Sequence, residues 1–423
     1  MVMPQDASLP GLGAARPAGA LSHIRVLDLS RVLAGPWATQ ILGDLGADVI
    51  KIERPGAGDD TRGWGPPWMP DAQGADSRVA AYYLCANRNK RSVTVDMATP
   101  QGQDLIRQLA CRSDVLVENF KAGGLTRYGL DYDSLRALNP RLVYCSITGF
   151  GQTGPYAARA GYDFLVQGLG GLMSVTGRPD DEAGGGPMKV GVALTDILTG
   201  LYAANAIQAA LAARQRTGEG QHVDMALLDV QVACLANQAM NYLATGRSPG
   251  RLGNAHPSIV PYQDFPTADG YMILAIGNDG QFARFCDEAG RPDLAEDARF
   301  ATNRARVEHR DVLIPILRHL TTARTTAQWV QALESRAVPC GPINAVEQVF
   351  QDPQVRARGL RIDLPHAEAG PVPLVASPIR LSETPVDYRR APPALGEHTA
   401  QVLEELLDLG PDAIAGLKAG GII

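Results

Sequence analysis

The chain has few of the groups that most often mark a site. Its six cysteines (Cys85, Cys111, Cys145, Cys234, Cys286, Cys340) are scattered and form no CxxC pair. That argues against a disulfide framework and a thiolate zinc site, and suits a reducing cytoplasm. The seven histidines show no HExxH or comparable ligand spacing, so no metal is expected. A GxSxG elbow and a Walker loop are both missing, and no cysteine has a histidine close by in sequence. Gly11-Leu12-Gly13 precedes the first strand, and the loop after Leu29 carries Gly35 without a GxGxxG. Nicotinamide and ATP chemistry are thereby disfavoured. No apolar run approaches the length that spans a bilayer. A net charge of −6 and a pI of about 5.7 argue against a nucleic-acid partner. Residues 1 to 20, rich in Ala, Gly and Pro, lack a basic start followed by an apolar core. They are expected to be a flexible tail.

What is present is an alternation of strands and helices. At 423 residues the chain exceeds one ordinary core, so two domains are expected. IRVLDL is a buried strand, ATQILGDLG an amphipathic helix and ADVIKIE a second strand. SVTVD, DVLVENF and RLVYCSI continue as strands, with helices at TPQGQDLIRQLACR and DYDSLRALN. This pattern predicts an α/β fold built on a parallel, doubly wound sheet. GYDFLVQGLGGLMSVTG is expected to form one helix packed through its glycines. RTGEGQ predicts a turn followed by a second long helix. YMILAIG is a strand, and helices are expected at residues 280–289, 303–322 and 326–336 of a smaller α+β domain. The predicted boundaries are 21–225 for the first part of the large domain and 226–337 for a linker helix and small domain. Residues 338–423 then return to complete the large one.

In open parallel sheets, ligands sit beyond the carboxyl ends of the strands. The loop after the first strand carries Arg31 and Leu33, the second strand ends at Glu53-Arg54, and DVLVENF ends at Asn119-Phe120 with Lys121 and Arg127 beyond. Cations and an aromatic at one edge of an acidic protein suit a nucleotide bearing phosphates. Solvated surface charge explains each residue taken singly. The segment KVGVALTDILTG, Lys189 to Gly200, places Asp196 in the first turn of a helix with Thr195 as its N-cap. The helix dipole there favours an ionised carboxylate. Such a group suits covalent acyl chemistry, and equally a merely stabilised helix end. Asp163, beside Tyr162 at the head of the glycine-rich helix, is expected to be an N-terminal helix acid, and Asp28 is expected to be structural.

Several ordered motifs carry a resemblance across nearly the whole chain from Ile24. They are VLDLSRVLAGPWATQILGDLGADVIKIERPGAGDDTRGWGPP, NRNKRSVTVDM, DVLVENFKAGGLTRYGLDY, ITGFGQTGPYA, GYDFLVQGLGGLMSVTG, GVALTDILTG, RTGEGQ, PCGPI and LGEHT. In these the chain resembles the family III CoA-transferases, to which the α-methylacyl-CoA racemases are related. The resemblance implies a Rossmann-like large domain made from both chain ends, a small domain, and an interlocked homodimer. It implies Asp196 as the nucleophile, passing through aspartyl anhydride and aspartyl-CoA thioester intermediates. It places Arg31, Leu33, Arg54, Lys90, Val95, Asn119, Phe120, Lys121 and Arg127 at the CoA site, with Tyr162 and Asp163 beside them. The substrates implied are a CoA thioester and a free carboxylic acid, with no permanently bound cofactor and no metal. Leu33 stands where formyl-CoA transferase has glutamine, which disfavours a formyl-CoA and oxalate pair. Tyr162 stands where the racemases have histidine, which removes the best base for racemisation. GRLGNAHPSIVPYQDF and GNDGQFARFC are most similar to members using succinyl-CoA and dicarboxylates. A racemase-like isomerase and a non-catalytic CoA-binding protein are the other readings.

Overall fold

The structure, a computed structural model, describes residues 19–71 and 73–423. Most of the expected tail, and Gly11 to Gly13 within it, lie outside the described residues. The chain divides into two compact units. The first comprises the described residues through Val166, Ala193–Ala233 and Arg358–Ile423. The second comprises Gln167–Val192 and Cys234–Ala357.

The first unit is built on a six-stranded sheet. In chain order its strands are β1 (Arg25–Asp28), β2 (Asp48–Glu53), β3 (Lys90–Thr94), β4 (Val115–Glu118), β5 (Val143–Thr148) and β6 (His222–Ala226). Their spatial order is β3-β2-β1-β4-β5-β6, and every pairing is parallel. That is the doubly wound order, with its switch point between β1 and β4. Strands β1 to β5 are buried nearly throughout because both faces are covered. Val26, Val49, Val115, Val117 and Val143 face one core with Ala203, Ile207 and Leu211. Leu27, Ile50, Val93 and Leu116 face the other with Leu105, Leu109, Val402 and Leu406. The last two belong to the helix Thr399–Leu407, so the carboxyl-terminal segment completes this unit. It is pinned to β3 and the turn that follows: Thr94 N donates to Thr399 Oγ1 at 3.0 Å and Asp96 N to Ile422 O at 2.8 Å.

Three features differ from the sequence expectation. β6 occupies HVDMA, where a turn leading directly into a helix was predicted; helices Leu227–Ala233 and Ala236–Thr245 follow it. The glycine-rich segment is two helices, Asp163–Leu169 and Leu172–Val175, because Gly171 adopts a φ of 84° that ends the first. The return to the first unit falls at Arg358, since Cys340–Pro342 pairs antiparallel with Tyr271–Ala275.

The second unit holds a three-stranded antiparallel sheet of Tyr262–Pro266, Tyr271–Ala275 and Cys340–Pro342. Phe265, Leu274, Phe282, Phe285, Leu313, Leu317 and Trp329 form its core. The helix expected over 303–322 is divided at His309 into Asn303–Glu308 and Arg310–Thr321. Arg306 is buried among Val260 O, Phe300 O and Asp279 Oδ1, at 2.6, 2.9 and 2.8 Å, so its charge is solvated by protein. Among the described residues no helix is long and apolar enough to cross a membrane.

Candidate active site

The sheet order reverses between β1 and β4, and the loops leaving those strands are tied there by one side chain. Asn119 Oδ1 accepts from Arg31 N at 2.9 Å, and Asn119 Nδ2 donates to Arg31 O at 2.7 Å. Between Arg31 and Leu33 the backbone takes an unusual path. Val32 sits at a φ of 70°, a region costly for a β-branched residue. Its N–H points to both carboxylate oxygens of Asp59, at 3.2 and 3.3 Å. Asp59 in turn accepts from Lys51 Nζ at 2.9 Å and Thr61 N at 3.0 Å. Burial opposes its charge, but the Lys51 ammonium and these donors outweigh burial and bring the carboxyl to about 2.

Beyond these loops lies a cavity of about 550 Å³. Arg31, Leu33, Asn119, Phe120, Lys121, Arg127, Tyr162 and Asp196 all line it. Arg31 pairs with Asp60 at 3.0 Å and lies 5.4 Å from the Phe120 ring centroid. Arg54 and Val95 line a neighbouring cavity of about 340 Å³, which shares Arg31, Asp60, Met97 and Phe120 with the first. Glu118, at the end of β4, takes the N–H of Phe120 at 2.8 Å, and burial pushes its carboxyl up to about 7.

Two expected site residues line neither cavity. Lys90 is fully buried, and its ammonium donates to Asp28 Oδ2 at 3.1 Å, Pro36 O at 2.9 Å and Asn87 Oδ1 at 2.9 Å. All three of its donors are engaged, which leaves none for a phosphate. The resemblance implies Lys90 at the CoA site, yet Lys90 is an interior ion-pair partner of Asp28. Asp163 instead serves the helix that carries Asp196.

That helix spans Leu194–Thr217, and its N-cap is Ala193, which offers no side-chain bond. Thr195 is not the cap. Its hydroxyl is buried and donates to Gln231 Oε1 at 2.7 Å. The cap comes from elsewhere in the chain: Asp163 Oδ1 accepts from Thr195 N at 2.8 Å and Asp196 N at 3.2 Å. The small residues have a use as well. A Cβ on Gly200 would lie 2.8 Å from Ala34 O and 3.1 Å from Trp37, so only glycine lets this helix lie against Ala34–Asp44.

The sequence reading had Asp196 held ionised by the helix end. The structure reverses this, because the first amides serve Asp163. Burial first, and then the negative charge of Asp163, push the Asp196 carboxyl up to about 7. Tyr82, which sequence reasoning missed, feels the same acids. Burial and then the charge of Asp196 raise its phenol to about 12, so it stays a neutral donor. Tyr162 is 66% exposed.

A pH dependence follows. If Asp196 is the reactive group, kcat/KM should rise about tenfold per pH unit below 7 and level above it. Asp163→Asn keeps an acceptor for the two amides but removes the like charge, so the rise should move to lower pH. A profile that Asp163→Asn leaves unmoved would remove Asp196 as its origin.

The profile of CoA-transferase family III matches residues 21–399. Succinate–glutarate CoA-transferase of Agrobacterium fabrum is 58% identical over 386 residues, 91% of this chain and 95% of that protein. Human succinyl-CoA:glutarate CoA-transferase is 45% identical over 95% of this chain and 90% of its own length. A CAIB/BAIF family protein from Brucella suis has a solved structure that superposes with a TM-score of 0.80. It is 52% identical, over 92% of this chain and 99% of that one.

Proposed function

Because the chain belongs to CoA-transferase family III, we propose that it moves CoA from succinyl-CoA to a dicarboxylic acid of the glutarate class, with Asp196 as nucleophile. The names of its relatives support the substrate pair. The observation that carries the mechanism is that Asp196, an acid with a pKa of about 7, lines a cavity also lined by Arg31, Lys121 and Arg127. A carboxylate of that basicity is a stronger nucleophile than an ordinary aspartate, and half of it is ionised at neutral pH.

Asp196 attacks the thioester carbonyl carbon, the C–S bond breaks, and CoA leaves as thiolate. The product is a mixed anhydride of Asp196 and succinate. The thiolate attacks the aspartyl carbonyl, succinate departs, and an aspartyl-CoA thioester remains. The acceptor carboxylate attacks that thioester, regenerating an anhydride and the thiolate. The thiolate then takes the acceptor acyl group and frees Asp196. Each step exchanges one activated acyl bond for another, so water must be kept from the intermediates. Arg31, Arg54, Lys121 and Arg127 are the cations for the CoA phosphates, holding the thioester against Asp196. Leu33, Val95, Asn119 and Phe120 shape the same surface.

We also propose a homodimer. In the first unit, Tyr162, Phe164, Leu201, Tyr202 and Val232 are exposed, an apolar set that a second copy would cover. Sedimentation should then give twice the 45.0 kDa chain mass.

The test of function is incubation with succinyl-CoA and a panel of carboxylic acids, followed by hydroxylamine trapping and mapping of the adduct. Glutaryl-CoA should form, with a hydroxamate at Asp196. No new acyl-CoA from any acid and no adduct would overturn the reading.

A further inference from the structure

We propose that Arg159 recognises the distal carboxylate of the dicarboxyl acyl group, an assignment that rests on the transferase reading above. Arg159 lines the same cavity as Asp196. Its guanidinium lies 4.5 Å from the Tyr156 ring centroid and 5.4 Å from that of Phe150. No carboxylate of the described residues pairs with it, whereas Arg31 is paired with Asp60. A guanidinium resting on aromatic faces keeps its in-plane N–H donors available, in the fork geometry that receives a carboxylate through two bonds.

The backbone places this charge near the reactive end of the cavity. Arg159 follows a turn in which its N–H donates to Tyr156 O at 2.9 Å. Two residues later Gly161 lies against Gly149, just beyond β5, so closely that a Cβ on Gly161 would be 2.4 Å from Gly149 Cα. Asp163 comes next but one, with its carboxylate on the amides of Thr195 and Asp196. Four residues of chain span at most about 14 Å, which bounds how far the Arg159 backbone lies from Asp163, the acid bonded to the Asp196 amide. Lys121 and Arg127 reach the cavity from the loop after β4 instead.

An acyl group joined to CoA at one end and carrying a second carboxylate at the other would place that carboxylate on Arg159. A monocarboxylic acyl group of equal length would set a methyl group there and leave the guanidinium unpaired. Sites built to bind a polar group reject the analogue that lacks it.

The experiment compares glutaryl-CoA with pentanoyl-CoA, which have the same chain length and differ at the distal end. Affinities are measured on Asp196→Asn protein, where no acyl transfer can occur. The parent should bind glutaryl-CoA about 30-fold more tightly, in the range of a charge-assisted contact. Adding Arg159→Met should abolish that preference and leave pentanoyl-CoA affinity unchanged, while Arg159→Lys should retain part of it. The proposal is overturned if the parent shows no preference or if the preference survives Arg159→Met. Weakening of both thioesters by one factor would also overturn it, by assigning Arg159 to the CoA phosphates. Binding needs no turnover, so a wild-type protein without transferase activity would sink the functional reading separately.

Discussion

Asp196→Asn is expected to lower CoA transfer by about 10⁴-fold or more while changing affinity for the CoA thioester by less than about threefold. The loss should be this large because the cavity offers no substitute. No serine, cysteine or histidine lines it, and its other carboxylate, Asp60, is paired with Arg31. The same change should stabilise the fold at pH 8. The Asp196 carboxyl rises from 3.8 to about 7 in the native chain, so the native state binds its proton more tightly than the unfolded state does. Ionisation therefore costs stability, beginning as pH rises past about 4 and complete above about 7. Asparagine removes the cost, so Tm should rise by a few degrees at pH 8 and stay nearly unchanged at pH 4. Calorimetry at the two pH values and a transfer assay decide the matter. Transfer that survives the change would move the nucleophile elsewhere, and a lower Tm at pH 8 would refute the electrostatic account.

Asp28→Ala is expected to cost about 3–5 kcal/mol of unfolding free energy, read from urea denaturation. Asp28 is fully buried and accepts from Ser30 N at 2.9 Å, Thr39 Oγ1 at 2.6 Å and Lys90 Nζ at 3.1 Å. Burial opposes its charge, but Lys90 and Lys51 overcome this and hold the carboxyl below its ordinary value. Alanine would strand the Lys90 ammonium in the interior, which is the costly way to break a buried pair. Lys90→Met should destabilise comparably by stranding Asp28. This outcome separates the two readings of Lys90. A phosphate contact would show weakened CoA binding on an intact fold, and an interior partner a weakened fold.

The sheet was legible because β1, β2, β4 and β5 are short, largely apolar runs and β3 runs into the alternating SVTVD, with helix patterns of the right length between them. β6 was not. HVDMA alternates polar and apolar residues at the edge of the sheet and directly follows a glycine turn. Its period-two alternation is a strand signal, but five residues between a glycine turn and a helix were absorbed into the helix that follows. That Arg31, Asn119 and Lys121 come together at one cavity was legible for a topological reason, since all three follow strand ends. The burial of Lys90 was not legible because it depends on partners such as Asp28, 62 residues away. Asp163 was recognised as a helix-end acid, but the amides it serves lie 32 and 33 residues further on. Arg159 belongs to no motif, and only the folded chain brings it to the cavity; Tyr82 likewise comes under the influence of Asp196 and Asp163 only through the fold.

The left-handed turn at Val32 bears on how ligand binding divides its free energy. The Asp59 carboxylate that holds the Val32 N–H stays charged down to about pH 2. The Arg31–Leu33 loop at the cavity is therefore set when the chain folds, and a ligand arriving later loses little entropy in ordering it. Its shape is also the same at pH 5 and pH 9, so a pH profile reports on groups such as Asp196 and Glu118 and not on a floor that shifts beneath them.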